Sequence, residues 1–469
     1  MAAISNCQYR FLARVVIEAA APLNIGSGNK GIKSDSLIVR DVNGLPFIPG
    51  TTLAGLLRQS LPRKEREDLM GSQSCGSSLV ITEAKILDAS GTPVDGIAQP
   101  EALNSEFLSR YVELPVRQHV KIGHRGAAVK HGKYDEEIVL KGTRFCFEIE
   151  FDTDDKTQEN KIKELLSCLL SETFRIGSGS RSGFGQIDVV SCKYRMVDLT
   201  KDLERELYLL KSSSLSQEWE GFEEDILDEL KTLKPAENRW VEYQLHLTPE
   251  DFFLFGSGYG NDEADMTYVR EPFVVWNDNM ATIREKEQVL LIPASSVKGA
   301  LSHRLAFHYN KIVGNTVESL RESGLKPEDV TGKNNPAVRA LFGSEGEKSE
   351  SSGEMIGQQR GNVLITDVME TRIIQPKLLN HVSIDRFTGG AIDGALFTEQ
   401  VIYGEQMELP VITLFVRSEV LNDGKVEKAW ENALEDICKG MLPLGGGVNR
   451  GHGVFKGSLT KNGQLLYGE

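Results

Sequence analysis

Two stretches of this chain, 230 residues apart, carry the same turn and the same acid. Ile25-Gly26-Ser27-Gly28 returns as Phe255-Gly256-Ser257-Gly258, and at that spacing Asp35 falls on Asp265 and Val39-Arg40-Asp41 on Val269-Arg270-Glu271. The copying continues in one order. Ile48–Gly55 matches Ile292–Gly299, Leu69–Ser72 matches Leu341–Ser344, and Leu79–Glu83 matches Val363–Asp367. His119–Ile122 then matches His381–Ile384, and Arg181–Gly185 matches Asn449–Gly453 in its glycines. A unit of about two hundred residues is far too long for a solenoid repeat, so the chain is two copies of one domain. Repeated apolar positions follow from a repeated core. A repeated aspartate in a glycine-bounded loop points to a repeated site.

Composition narrows the class. The 469 residues are 40% hydrophobic and 26% charged, an ordinary globular balance in which each half can bury a core. No apolar run is long enough to span a membrane, and Met1–Arg14 lacks a signal-peptide stretch. Six scattered cysteines without C-x-x-C argue against a zinc knuckle and for a reducing cytoplasm. A net charge of -15 disfavours nucleic-acid binding on average, yet the charge is uneven. Asp198–Glu237 is acidic, whereas Arg117–Lys133 holds five cations, three histidines and no acid. That basic insert has no periodic apolar face and is expected to order on RNA rather than in the core.

Periodicity predicts the same elements in each half. In the first, strands are expected at Gln8–Ala20, Leu79–Leu87, Arg144–Phe151 and Phe184–Cys192, with helices at Thr51–Ser60 and around Ile162–Phe174. In the second, strands fall at Trp240–Leu247, Asn362–Arg372, Met407–Val416 and Gly453–Leu459, with helices at Ser295–Tyr309 and around Val426–Ile437. The order β-α-β-β-α-β is that of an α+β, ferredoxin-like unit, here twice in tandem. Residues 1–198 form the first domain, 199–239 a charged helical linker and 240–469 the second domain. Long polar inserts, Asp88–Gly142 and Ile373–Gly404, leave the sheet between its second and third strands, and Ser344–Gly361 is expected to be mobile.

Gly26-Ser-Gly28-Asn-Lys-Gly31 satisfies G-x-G-x-x-G, but no amphipathic helix follows and the second copy breaks the spacing, so a dinucleotide site is rejected. Tight turns explain such glycines without function. Arg175, Arg181 and Arg450 beside them favour close approach of backbone N–H groups to phosphates.

These motifs resemble those of the RAMP superfamily of CRISPR-associated proteins, in particular the repeating backbone subunit of type III effector complexes, fused in tandem. The family's glycine turn and aspartate read here as Ile25–Asp41, and its helix-opening I-P-G-S-S-[LI]-K-G reads as Ile48–Gly55 and Ile292–Gly299. Its I-D-R-x-T-G segment before a hairpin "thumb" reads as Ile384–Gly389, and its glycine-rich loop as Gly177–Gly185 and Gly447–Gly453. Ala54 stands where the family has the lysine kept as Lys298, and Lys121–Arg125 is a degraded form of the thumb segment.

The resemblance implies that each half binds guide RNA and that Asp35 and Asp265 are catalytic, cutting target RNA at two sites. By the same carry-over, the RNA-binding positions of the first half are Thr51, Thr52, Arg58, His119, Arg125, Gly177, Gly179, Arg181 and Gly183. Those of the second half are Ser295, Ser296, Lys298, His381, Arg386, Gly446, Gly447, Arg450 and Gly451. Implied partners are a CRISPR guide RNA, a target RNA, other RAMP-type subunits and a large signalling subunit, with no membrane. Such cleavage uses the RNA's own 2′-OH. An aspartate with its ordinary pKa near 4 is a poor base at neutral pH, so Asp35 and Asp265 are read as anchors for Mg²⁺ or another divalent cation. Two alternatives stay open: a scaffold whose aspartates are turn residues, and a guide-processing ribonuclease using His452.

Overall fold

The computed structural model describes residues 7–31, 34–72, 76–123, 126–222, 224–233, 239–284, 289–348, 355–370, 375–404 and 407–468. Each half is built on one antiparallel sheet, and the two sheets share an order. In the first, Tyr9–Ala19 lies between Arg144–Thr153 and Ile187–Asp198, and Leu79–Ile81 and Ala84–Ile86 pair with Arg144–Thr153. In the second, Trp240–Pro249 lies between Ile412–Arg417 and Phe455–Lys461, with Val363–Ile365 outside Ile412–Arg417. Antiparallel pairing lets one face alternate apolar residues toward a helical layer. Phe11, Ala13, Val15 and Ile17 bury that face under Leu53 and Leu57 of the helix Gly50–Ser60 and under Ile162 and Leu165 of Glu159–Ser167. Tyr243, Leu245 and Leu247 do the same under the helices Ala294–Val313 and Gly424–Cys438, around a fully buried Trp430.

The strands at Leu79–Leu87 and Asn362–Arg372 each split in two, at Leu79–Ile81 with Ala84–Ile86 and at Val363–Ile365 with Val368–Glu370. The split frees Thr82 and Asp367 to turn toward neighbouring elements: the Thr82 Oγ1 accepts from the Glu148 N–H at 2.9 Å. Of the segment expected to be mobile, Gly343–Ser344 pairs with Gln359–Arg360, while 349–354 lie outside the described residues.

Residues 199–239 are not one helix. The helix Asp202–Leu209 is followed by a short strand, Glu224–Asp225, that joins the first sheet beside Ile187–Asp198, and by the helix Leu227–Thr232. Apolar positions among the acids decide this. Trp219 packs on Leu12 and Val197, and Leu215 on Leu87 and Cys146, covering the second face of the first sheet. Lys211 donates to Glu148, which also pairs with Arg14. The segment is therefore a layer of the first half.

Between Glu271 and Ile292 the second half carries a hairpin that periodicity did not reveal, Phe273–Asn277 paired with Met280–Arg284. It packs into the first half as a clasp. Val274 and Ala281 belong to the first half's core, the Val274 N–H donates to the Lys141 carbonyl and the Ala281 N–H to the Ala89 carbonyl, both at 2.8 Å. Trp276 donates its indole N–H to the Gly142 carbonyl at 2.8 Å and lies 4.1 Å under the Arg144 guanidinium. Gly142 has φ 83°, and a Cβ there would meet the Val274 carbonyl oxygen at 2.1 Å, so the clasp needs glycine at this point.

The two inserts are hairpins, Val116–Ile122 with Ala128–Glu137 and Lys377–Ile384 with Ala391–Tyr403. The expectation that Arg117–Lys133 orders only on RNA fails at its root. The Arg117 side chain is 3% exposed and forks onto Glu271 at 2.6 and 2.5 Å, with its other nitrogen on Asp367. Two carboxylates from the second half neutralise the one cation of the first, which is why a basic insert is buried here. No helix among the described residues is long and apolar enough to cross a membrane.

Because the clasp fills the first half's core from the second, Trp276→Ala should destabilise the whole chain by about 3 kcal/mol. Urea unfolding followed by circular dichroism should show a lower midpoint. An unchanged midpoint would mean the clasp is surface decoration.

Candidate functional site

Each aspartate sits in a loop whose two arms are held as a narrow ladder. Ser27 N–H donates to the Leu37 carbonyl at 2.8 Å and Val39 N–H to the Ile25 carbonyl at 2.8 Å; in the second half Ser257 donates to Thr267 at 2.9 Å and Val269 to Phe255 at 2.7 Å. Gly28 and Gly258 turn the chain at φ 80° and 82°. The loop then docks on the returning strand of its own hairpin. Asp35 N–H donates to the Asp135 carbonyl at 3.0 Å, and Asp135 N–H donates back to Asp35 Oδ2 at 3.3 Å. Asp265 does the same with Thr398, at 2.9 and 2.8 Å. Both aspartates are exposed.

Behind each docking point lies one aromatic-histidine-glutamate unit. His119 stacks on Tyr134 at 4.8 Å and approaches Glu136 at 3.3 Å; His381 stacks on Phe397 at 4.8 Å and approaches Glu399 at 3.0 Å. His119 is buried and His381 half-buried, so these histidines brace the hairpins from within. The glutamates that pair with them escape sequence comparison because the second hairpin's tip is one residue longer, Ile384 to Ala391 against Ile122 to Ala128, which puts Glu136 and Glu399 one residue out of the register that matches the histidines.

The glycine-rich loops are one structure built twice. Gly177, Gly179, Gly183 and Gly185 have φ of 88°, 64°, 116° and 92°; Gly445, Gly447, Gly451 and Gly453 have 93°, 70°, 89° and 76°. Their surroundings differ. Gly183 is buried against the Asp367 carboxylate, while Gly451 is exposed and Gly446 and Gly447 half-buried. Arg450 is half-exposed and reaches back to the buried Glu399. Under the second loop His452 stands where the first has Phe184, and both are buried. Burial holds His452 below the usual histidine range, and its Nδ1 is buried without a hydrogen bond among the described residues, so it is placed as core rather than as an acid-base group.

Arg181 turns away from the solvent and toward the second half, donating to the Gly361 carbonyl at 2.8 Å and lying 5.6 Å from the Trp240 ring. There it meets Arg175, Arg360 and Arg417, with Lys298 donating to Ser182 at 3.3 Å. Burial first, then those three arginines, pushes Arg181 down to about 9. Burial likewise pushes Arg175 down to about 10 and lowers Lys298, the latter also through Arg181. Arg175 and Arg181 remain cations at neutral pH. The depression is chiefly burial; like charge adds to it at Arg181 and Lys298, while Glu172 and Asp188 act against it at Arg175. Arg175 is buried, donates to Thr366 at 2.8 Å, and leaves Nε and Nη1 without partners among the described residues.

The remaining positions are dispersed. Pro49 and Pro293 occupy the helix caps, so Thr51, Thr52, Ser295 and Ser296 lie in the first turn. The second of these helix starts receives the Asp367 carboxylate on the Ala294 N–H at 2.7 Å. Arg58 binds the carbonyls of Met70 and Gly71, and Arg386 is exposed at the tip of the second hairpin beside Phe387, which is 95% exposed. Arg125 lies outside the described residues. No three His, Cys, Asp or Glu side chains converge as a metal cage among the described residues. Asp35 and Asp265 thus suit a magnesium ion only as single carboxylate donors shared with phosphate oxygens, a common mode for that ion.

The RAMP superfamily profile matches residues 16–188 and again 277–456. The chain belongs to the RAMP superfamily, with its two halves as successive copies. Over 190 residues it is 29% identical to the CRISPR system Cms endoribonuclease Csm3 of Methanocaldococcus jannaschii, a match spanning 37% of this chain and 75% of that protein.

The buried His452 sets a pH dependence. Its folded pKa lies below the ordinary 6.5, so the unfolded chain takes up the proton first; stability is full above about pH 6.5 and falls as pH drops toward the folded value. His452→Phe, which copies Phe184, should narrow the drop in Tm between pH 8 and pH 5.5. An equal drop in both proteins would show that His452 is not buried neutral.

Proposed function

We propose that the chain is a backbone subunit of a type III CRISPR RNA-guided effector complex that binds guide RNA along both halves and cleaves complementary target RNA at two places. The observation that carries this is the doubled aspartate loop, docked in both halves on the returning strand of a hairpin by the same pair of hydrogen bonds, one from the aspartate N–H to a carbonyl and one from that residue's N–H to the carboxylate. The match to a Csm3 endoribonuclease supports the class of reaction. The shared strand order, second–third–first–fourth, supports a ferredoxin-like unit, and the two projecting hairpins are read as its thumbs. The guide and target RNA, other RAMP-type subunits and a large signalling subunit are the proposed partners.

In this mechanism the target's 2′-oxygen attacks the adjacent phosphorus and the 5′-oxygen leaves, giving a 2′,3′-cyclic phosphate and a 5′-OH. The proton leaves the 2′-OH to solvent and another is taken up by the departing oxygen. Asp35 and Asp265 present a carboxylate beside the scissile phosphate from a loop whose backbone is fixed at both ends, so the acid's position costs little on binding. A magnesium ion held between that carboxylate and phosphate oxygens would supply charge neutralisation. Arg181, Lys298, Arg360 and Arg417, backed by the buried Arg175, supply a positive cluster for the RNA backbone.

A second reading has one observation behind it. Each aspartate accepts a backbone N–H, as a turn residue does, which suits a scaffold whose acids only hold their loops.

Asp35→Ala should abolish one cut and Asp265→Ala a different one, with guide binding kept, when products from the assembled complex are mapped on a sequencing gel. Retention of both cuts in both variants would leave the scaffold. Affinity for guide RNA should fall steeply with salt, with a log–log slope of about -3 if Arg181, Lys298, Arg360 and Arg417 engage phosphates. A flat salt series would remove the cluster from the binding surface.

A further inference from the structure

The two aspartate loops share a backbone but not their supports. Tyr259 follows the second glycine turn, and its carbonyl accepts both the N–H and the Oγ1 of Thr267, two residues from Asp265, at 3.1 Å each. Its phenol is held from the other half: Gln118 of the first hairpin donates its side-chain amide to the Tyr259 hydroxyl, and the Lys133 ammonium lies 6.0 Å from the ring. The far end of the same loop, Glu271, is gripped by the neighbouring Arg117 at 2.6 and 2.5 Å. Arg117 is itself fixed by Asp367 and by the Phe184 ring 4.6 Å away. Two successive residues of one strand thus hold both ends of the loop that presents Asp265.

Among the described residues the first loop has no such strut. Asn29 stands in place of Tyr259 and is exposed, its N–H donating to Ser27 Oγ at 3.3 Å. Asp41 stands in place of Glu271 and accepts the N–H groups of Asn43 and Leu45, at 2.8 and 3.0 Å, within its own turn. In the second hairpin, Leu379 stands in place of Arg117.

We infer that Arg117 and Gln118 are positioning residues for Asp265, so that two side chains of the first half's hairpin set the activity of the second half's site, while Asp35 docks on the same hairpin through Asp135 and not through these side chains. The inference rests on the proposed cleavage at both aspartates. Coupling runs through side chains: losing those of Gln118 or Arg117 frees Tyr259 and Glu271 and hence the Asp265 loop, whereas the Asp35 loop keeps its hydrogen bonds to Asp135, opposite Gln118 in the same hairpin. Displacing a reacting group by a fraction of an ångström lowers turnover without weakening substrate binding.

The test is single-turnover cleavage by the assembled complex at saturating target, with the two cuts quantified separately. Gln118→Ala and Tyr259→Phe alter an exposed contact and leave the buried ion pairs in place. Each should slow the Asp265 cut by about tenfold and leave the Asp35 cut and the half-saturating target concentration unchanged. Gln118→Glu, which accepts from the Tyr259 hydroxyl, should restore the Asp265 cut, and Arg117→Lys, which keeps the charge but loses the fork, should slow that cut only. An unchanged ratio of the two cuts in these variants, or an equal slowing of both, overturns the strut. If Asp265→Ala, run alongside, keeps both cuts, the cleavage assignment fails instead.

Discussion

Arg117 stands where three things meet: the root of the first hairpin, the end of the second aspartate loop at Glu271, and Asp367 at the start of a second-half helix. A guanidinium buried to this depth persists only if its donors are met, and here two carboxylates and an aromatic face meet them. Removing it would strand two acids in the junction, typically a loss of about 3 to 5 kcal/mol for a broken buried pair. The clasp around Trp276 adds apolar burial on the other side of the same junction. Together they make the two halves one packed body rather than two domains on a tether.

Duplication of the chain has not produced two equal copies. The inner faces have diverged to fit one another: Phe184 under Arg117, Gly183 against Asp367, Arg181 against Trp240. Their counterparts stand differently: His452 packs on Phe252 of its own half, Gly451 has open space beside it, and Asn449 is exposed. One glycine loop has become a joint and the other has kept an exposed surface. The backbone conformation survived both fates because the positive-φ glycines fix it independently of what packs on it.

Much of this was legible in the residues. The sheet strands and the two long helical faces showed their periods, and the repeated Gly-turn-Asp motif marked two loops that prove to share their hydrogen bonds. What stayed hidden depended on distance. The clasp Phe273–Arg284 reads as an insertion because its partners, Ala89 and Gly142, lie in the other half. The linker's acids masked the four apolar residues, Leu215, Trp219, Ile226 and Leu230, that seat it on the first sheet. Basic residues looked alike in sequence, yet Arg117 is neutralised by pairing, Arg58 holds carbonyls, and Arg181 is buried among other arginines. Charge balance is a property of the folded neighbourhood, and composition cannot supply it.

The two-residue strand Glu224–Asp225 closes the far edge of the first sheet beside Ile187–Asp198. It is short and acidic, and so a poor template for another strand. At the far edge of the second sheet, Gln464–Tyr467 folds back on Phe455–Lys461 with a bulge in the pairing. Edges finished in this way resist sheet-to-sheet growth between molecules. At these two edges a neighbouring protein would meet side chains, which discriminate between partners, rather than open backbone, which would accept any strand that drifted by.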